Sequence, residues 1–546
     1  MTPLDALRDA VVEAAASLRT GDGAGAPGRA APTLERPKRE GFGDYSTNAA
    51  MLLAPVLGAP PRAIAERLGN ELSGRLGATL ERYEVAGPGF LNLVLADEWY
   101  RAALGSVLEA GSGFGGGGAS TPERILIEFV SANPTGPVTA ASGRHAAYGD
   151  ALGRLLSYYG HTVAREYYVN DFGTQVRKLG ESIRARARGE EVPEDGYQGA
   201  YVTELAWEIP GAAEAEPDIL AERGVELMVE RIRATLHAFR LDFDGWFSER
   251  SVHLDEPSAV QHAYAELERH HAMYRSEGAL WLRTTRWGDD KDRVLERSSG
   301  EHTYFASDIA YHEHKRERGF DRLIDVWGAD HHGYVPRMKA AFQALGGDPD
   351  ALEILIMQMV NVLERGERSA MSKRRGDFVT LDDLVADIGV DAARFYLLSR
   401  SHETTLDLDL HLAREEGSEN PVYYVQYAHA RIASMLARVG EERARAAREE
   451  LATAQVALEP AERTLVKKLL SFPEDVAEAA ARRAVHRIAG YALELAQDFT
   501  AFYRDCRVLG AEPVALESFR IVLCVAARET IARSLDLLGV SAPESM

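Results

Sequence analysis

The chain has 546 residues, of which 46% are hydrophobic and 27% charged, with a formal net charge of −22 and only two cysteines. Such a length predicts roughly three or four domains with sizeable cores. The acidic balance excludes a generic basic nucleic-acid binder while leaving room for a local basic surface, and Cys506 and Cys524, with no CxxC spacing, exclude a disulfide framework or a cysteine zinc site.

The first segment, MTPLDALRDAVVEAAASLRT, reads as an amphipathic helix with Leu4, Leu7, Val11 and Leu18 on one face, not as a signal peptide. After it, YEVAGPGFLNLVLAD alternates like a strand behind a Gly-Pro-Gly turn. Residues 1–109 therefore read as a small α+β domain. The glycine-rich run EAGSGFGGGGASTPER is expected to be a linker that cannot pack, over 110–124.

From residue 125 short apolar strands alternate with helices. ILIEFV (125–130), REYYVND (165–171), RLIDVWGAD (322–330) and EILIMQMVNVL (353–363) are the strand candidates, and Tyr148, Leu152, Leu155, Leu156 and Tyr159 form an apolar helical stripe. This is the βαβ signature of a doubly wound, Rossmann-like parallel sheet over 125–404, with a helical insertion at about 185–300. Residues 405–546 read as an all-α bundle of about five helices. No run approaches the ~18 apolar residues of a membrane span.

Three constellations carry candidate chemistry. In EFVSANPTGPVTAASGRHAAYGD, Pro134, Gly136 and Pro137 keep the loop out of helix until Thr139–Ser142. The unpaired N–H groups of the first helical turn would face the sheet's C-terminal edge and favour an anion; the plainer alternative is an ordinary capped connection. GERSAMSKRRGDFVTLDDL places Lys373, Arg374 and Arg375 where they could neutralise a triphosphate, or simply be solvated. DFDGWFSERS and EHTYFASDIAYH supply Glu249, Tyr304 and Asp308; two converging carboxylates require a cation, and a guanidinium pairs with them bidentately. The paired histidines of GADHHGY carry no recognised metal-ligand spacing.

Taken in order along nearly the whole chain, ERPKREGFGDYSTNAA, VAGPGFLN, SANPTGPVTAASGR, REYYVNDFGTQVRKLGES, WFSERSVH, VWGADHHGYV, AMSKRRGDFVTLDDL, ENPVYYVQYAHARI and LLGVSAPESM resemble arginyl-tRNA synthetase, a class I aminoacyl-tRNA synthetase of the bacterial type. The resemblance implies ATP-dependent ligation of L-arginine to its tRNA through an arginyl-adenylate, with release of AMP and pyrophosphate. It implies that residues 1–109 contact the tRNA D-loop and that 405–546 bind the anticodon. Glu128, Ser131 and Asn133 would hold the α-amino end of arginine, and Glu249, Tyr304 and Asp308 its guanidinium. Pro134, Thr135, Gly136, Ala141, Gly328, Asp330 and Lys373 would bind ATP, brought as its Mg²⁺ complex with no protein-bound metal. Phe90, Asn92, Tyr424, Tyr427 and Met546 would touch tRNA. A cytoplasmic monomer without membrane contact is expected.

The chain departs from the family pattern where His-Val-Gly-His is normal: it has Thr139-Ala140-Ala141-Ser142. Ala370 replaces the first lysine of the second signature, whereas Lys373 is kept. Thr139, Ser142 and Lys373 are then the catalytic candidates, with charge from Arg144 as a supplement. Losing one preorganised donor typically costs about 3–4 kcal/mol of transition-state stabilisation. An active ligase with a reworked ATP corner is the favoured reading; the alternative is a weak or inactive paralogue that binds tRNA or arginine for regulation.

Overall fold

In the computed structural model, which describes residues 2–21, 31–37, 41–254, 257–364, 367–368 and 379–546, the first unit is an antiparallel sheet under helices. Helix α1 (Pro3–Gly21) is followed by strands β1 (Leu34–Glu35) and β2 (Tyr45–Thr47), helices α2 (Ala49–Leu57) and α3 (Pro61–Leu76), strands β3 (Leu80–Ala86) and β4 (Phe90–Leu95), and helix α4 (Asp97–Ala110). The order is β1-β2-β4-β3. Leu91, Leu93 and Leu95 of β4 are fully buried, as a period-two apolar set requires.

The glycine-rich connection packs, contrary to expectation. A Cβ on Gly115 would lie 2.7 Å from the Phe472 ring, on Gly116 2.9 Å from the Tyr158 carbonyl, and on Gly118 2.6 Å from the Tyr159 ring. The N–H groups of Gly117 and Ala119 donate to the carbonyls of Tyr158 and Tyr159, both at 2.9 Å. These glycines permit close approach rather than freedom.

Next come β5 (Arg124–Glu128), α5 (Ala140–Tyr159), β6 (Thr162–Val169), α6 (Thr174–Arg188), α7 (Ala200–Glu208), α8 (Pro217–Ala238), β7 (Gly245–Ser248), α9 (Glu249–Leu254) and α10 (Ala259–Arg269). They are followed by β8 (Met273–Ser276), β9 (Ala279–Leu282), β10 (Arg293–Glu296), α11 (Tyr304–Glu317), β11 (Arg322–Gly328), α12 (Val335–Ala344) and β12 (Leu352–Met357). The central sheet runs β12-β11-β5-β6-β7 and is parallel throughout. Its middle strand is apolar on both faces, with Ile125, Leu126 and Ile127 buried, as expected of a strand covered by helices on either side. The segment 185–300 is helical only in part. Helices α7 and α8 pack with α6 around an apolar cluster of their own, and the end of α8 reaches the main core through Ile232 and Leu236, whereas β7 returns to the main sheet and β8–β10 form a separate antiparallel sheet in the order β10-β9-β8. The aromatic run Trp246-Phe247 has strand character and stacks on Tyr167 and Tyr168 of β6.

The apolar run 353–363 is two strands. After β12 the chain breaks at Gln358, whose N–H donates to the His402 carbonyl at 2.8 Å. It resumes as β13 (Val360–Glu364), which pairs with β14 (Glu367–Arg368) and, across helix α13 (Leu381–Leu398), with β15 (Leu406–Asp409). The first residues of the segment expected to be all helical therefore include a strand. Beyond α14 (Leu410–Arg414), helices α15 (Pro421–Val439), α16 (Glu441–Leu451), α17 (Pro460–Ala481), α18 (His486–Asp505) and α19 (Val514–Leu537) form the bundle. Helix α19 is its centre: Phe519, Ile521, Val522, Leu523 and Cys524 are fully buried, an apolar surface without one preferred face.

Candidate active site

The C-terminal edge of the parallel sheet opens into a cavity of about 460 Å³ whose walls include Glu128, Ser131, Asn133, His145, Tyr304, Asp308, Gly328 and Tyr334. The position follows from the doubly wound topology, in which loops leave the strand ends on this side. Directly after β5 the chain takes left-handed backbone angles at Val130 (φ 68°) and Ser131 (φ 39°). A β-branched residue there is strained, and such strain collects at sites where the backbone is over-determined. The turn swings the Ser131 hydroxyl back to donate to Glu128 Oε1 at 2.8 Å, while Tyr168 N–H donates to Ser131 Oγ at 3.2 Å. Asn170 Nδ2 donates to the Ser131 carbonyl at 3.0 Å.

Helix α11 supplies the acidic floor. Asp308 accepts from Tyr334 OH at 2.6 Å. Its carbonyl accepts from His312 Nδ1 at 2.7 Å, and His312 Nε2 meets Asp325 Oδ2 at 2.8 Å. The fully buried Lys315 ammonium bridges Glu128 Oε2 (2.6 Å) and Asp325 Oδ1 (2.7 Å). Burial penalises the Asp325 carboxylate, but Lys315 and His312 outweigh it and hold the group well below the usual range. Burial raises Glu128, with Lys315 opposing.

Glu249, at the start of α9, is buried and makes no protein hydrogen bond among the described residues. Burial first, then the neighbouring charges of Asp308 and Asp171, push its carboxyl up to about 7. Asp308 is also raised, by burial, against the Tyr334 hydrogen bond and His312. Asp308 lines the cavity, whereas Glu249 is not among its wall residues but interacts electrostatically with Asp308; two such underpaired carboxylates can receive a cation. Tyr304 lines the same cavity from its rim and is 72% exposed.

The ATP corner differs from the sequence expectation. Thr139 caps α5, its Oγ1 accepting from Ser142 N–H at 3.1 Å, with Ser142 Oγ also 3.1 Å away. Ala140 N–H donates to the Val379 carbonyl at 3.0 Å. Two donors expected to be bare are therefore engaged, and among the described residues the Ala141 N–H alone of the first three has no partner. Ala141 is exposed, whereas Pro134, Thr135 and Gly136 are buried, with Tyr201 OH donating to the Thr135 carbonyl at 2.8 Å. The Arg144 guanidinium is committed to backbone carbonyls instead of standing free for a phosphate. Arg144 is buried and donates to the carbonyls of Gln358 and Ser401, each at 2.9 Å. Gly328 lines the cavity and Asp330 is exposed beside it, near His331. Lys373 and Ala370 lie outside the described residues, although Leu381 N–H and the Val138 carbonyl, bonded at 2.8 Å, join the following segment to the α5 loop.

The candidate tRNA residues lie away from this cavity. Phe90 is exposed. Asn92 is not: it is buried and its Oδ1 accepts from Ser46 Oγ at 2.7 Å, so it fastens β2 to β4 instead of facing solvent. Tyr427 stacks on Tyr423 at 6.1 Å and, with Arg431, Tyr503 and Met546, lines a groove of about 310 Å³. Tyr424 packs against the bundle core. Sequence reading missed His145, Tyr168, Asn170, His312, Lys315 and Tyr334. The i, i+4, i+7 spacing of Asp308, His312 and Lys315 is the available signal, because it places all three on one helical face.

Three family models match the chain in order: the arginyl tRNA synthetase N terminal domain over 5–95, the catalytic domain of tRNA synthetases class I (R) over 223–416, and the DALR anticodon binding domain over 425–546. The chain is 45% identical to the arginine–tRNA ligase of Desulfosudis oleivorans and 43% identical to that of Geobacillus kaustophilus, covering 94% of both partners in each case. Its structure is similar to the arginyl-tRNA synthetase of Thermus thermophilus, with a TM-score of 0.76 at 25% identity, over 99% of this chain and 100% of that one.

Proposed function

The chain belongs to the arginyl-tRNA synthetase family, it charges tRNA with arginine in an ATP-dependent reaction, and from that premise we propose that the cavity at the end of the parallel sheet is where arginine and ATP meet. The observation that carries this assignment is the Glu249–Asp308 pair. A guanidinium laid between them would offset the burial that raises both carboxyls and the added repulsion that Asp308 exerts on Glu249. Lysine lacks the planar fork, and a neutral analogue would leave two carboxylates buried without a cation.

Glu128, Ser131 and Asn133 are the groups proposed for the α-amino end, with Lys315 and Ser131 fixing the Glu128 carboxylate. The arginine carboxylate then attacks the α-phosphorus in line, pyrophosphate leaves, and the terminal adenosine of tRNA takes the arginyl group from the adenylate. No enzyme nucleophile enters these steps; the protein positions the reactants and stabilises charge. ATP is taken as its Mg²⁺ complex, and Ala141 N–H, Thr139, Ser142, Gly328, Asp330 and Lys373 are the proposed contacts. The exposed Phe90 and the Tyr423–Tyr427 stack with Arg431 and Met546 are proposed for tRNA, as platforms for unstacked bases. No helix of the described residues is long and apolar enough to cross a membrane; we read the chain as a cytoplasmic monomer. Nothing in the comparisons favours the inactive-paralogue alternative.

Arginine-dependent ATP–pyrophosphate exchange, run with and without tRNA, tests this reading. Exchange is expected with tRNA present. Asp308→Ala should raise the arginine concentration needed for exchange by at least tenfold, since a charged hydrogen bond is worth about 1.5–3 kcal/mol, and leave tRNA binding unchanged. Loss of tRNA binding in that variant would undo the pocket assignment.

A further inference from the structure

His145 is one turn beyond Ser142 on α5 and forms part of the cavity wall, beside Val326, Trp327, Gly328 and His331. Its ring is divided in two by its surroundings. Among the described residues Nδ1 is enclosed and makes no hydrogen bond, whereas Nε2 is not enclosed and makes none, which leaves Nε2 as the edge on the open space. Burial pulls the imidazole down to about 4, helped by Arg144 and His331 and opposed by the Val326 carbonyl beside the ring and by Asp330. A neutral imidazole carries one proton and one lone pair. The carbonyl can only accept, so it suits the tautomer that keeps its proton on the enclosed Nδ1, and in that tautomer the Nε2 lone pair faces the cavity.

A bare acceptor at that place recognises a hydrogen-bond donor. Phosphate oxygens offer none, and the cationic end of arginine lies with Glu249 and Asp308. The wall shared with Gly328 is the one proposed above for ATP, whose hydrogen-bond donors are the ribose hydroxyls and the adenine amine. We infer that His145 contacts substrate directly, its Nε2 accepting a hydrogen bond from a ribose hydroxyl of the bound ATP. The inference rests on the nucleotide reading of Gly328 and Asp330. It also gives this chain one imidazole at the ATP corner, although Thr139 and Ser142 stand where histidines are usual.

The test is tRNA-supported pyrophosphate exchange with ATP, 2′-deoxy-ATP, 3′-deoxy-ATP and purine riboside triphosphate, in the wild type, His145→Leu and His145→Gln. The readout is the ratio of kcat/KM for ATP to that for each analogue within one protein, so general damage to a variant cancels. The wild type should disfavour one deoxy analogue by about five- to tenfold, the worth of one neutral hydrogen bond. His145→Leu should abolish that ratio and raise KM for ATP while KM for arginine holds; His145→Gln, which keeps an acceptor, should retain it. An unchanged ratio in His145→Leu overturns the role of His145 alone. Loss of discrimination against the purine riboside instead overturns the hydroxyl and assigns the adenine amine. A wild type that treats ATP and both deoxy analogues alike overturns the nucleotide reading and the inference with it.

Discussion

Glu249 and Asp308 make arginine recognition a titration. Both carboxyls are raised, Glu249 to about 7, so the free enzyme holds a proton there near neutrality. The guanidinium never gives up its own proton, so binding needs both carboxylates ionised and releases what they hold. The sign follows. Because the folded value exceeds the unfolded one, Glu249 favours the empty fold most below its unfolded value, and that contribution is lost as pH rises through about 7. Arginine affinity moves the other way and strengthens over the same window. We expect kcat/KM for arginine to fall roughly tenfold per pH unit below about 7, and the rise in melting temperature at one fixed arginine concentration to be larger at pH 8 than at pH 6. Glu249→Gln should flatten the profile and raise KM for arginine about 10- to 100-fold, the span of one charged hydrogen bond. A pH profile unchanged by Glu249→Gln would remove this carboxyl from the pocket. These two residues were legible in the sequence as types a guanidinium needs. Their convergence was not, because α9 and α11 are distant in sequence and pack against each other only in the folded chain.

At the scale of elements, the turn between β5 and α5 holds the site, and its geometry depends on how closely the helix lies on the strand. A Cβ at Gly149 would fall 2.2 Å from the Phe129 ring. Gly149→Ala must push α5 away from β5, so overpacking should cost about 1–3 kcal/mol in chemical denaturation, and pyrophosphate exchange should drop further than stability alone explains, because His145 and the capped turn ride on the same helix. Unchanged stability would mean the contact relaxes without moving the helix. The strand–loop–helix pattern here was readable from apolar runs, prolines and a capping threonine, all local signals. The glycine-rich run was misread for the same reason. Composition reports backbone freedom, whereas Gly115 and Gly116 answer to Phe472 and Tyr158, partners distant in sequence. The break at Gln358 was hidden likewise: an unbroken apolar run serves two sheets, because the carbonyls of Gln358 and Met359 are held by Arg144. Arg144 reads in the sequence as a source of charge for the ATP corner, since nothing in its sequence neighbours reveals three carbonyl partners.

On the scale of the whole molecule, the catalytic sheet and the helical bundle share one apolar core, and buried or half-buried ionic contacts cross the same junction. Arg483, just after α17, donates twice to Glu353 of β12, at 2.8 and 2.9 Å, and its carbonyl accepts from Tyr148 OH of α5 at 2.7 Å. The more central joint is Arg394 of α13, which has no exposed surface. Its guanidinium donates to Asp150 of α5, to the Phe239 carbonyl after α8 and to the Leu538 carbonyl after α19. Gly539 has no room for a side chain, because a Cβ would lie 2.2 Å from the same guanidinium. One planar group thus collects the ends of the insertion, the catalytic helix and the last bundle helix. Removing it leaves Asp150 buried with only the partly exposed Arg154 and Arg165 near it, and strands two carbonyls. Arg394→Met should therefore destabilise by about 3–5 kcal/mol, as expected when one partner of a buried pair is lost. Arg394→Lys should rescue little, since an ammonium cannot span three acceptors set out for a planar fork. Urea unfolding followed at once by tryptophan fluorescence and far-UV dichroism separates two outcomes. Wild-type transitions that coincide and split apart in Arg394→Met identify this residue as the joint between sheet and bundle. Transitions that shift together by the same amount would make it a stabilising contact of one cooperative body and nothing more.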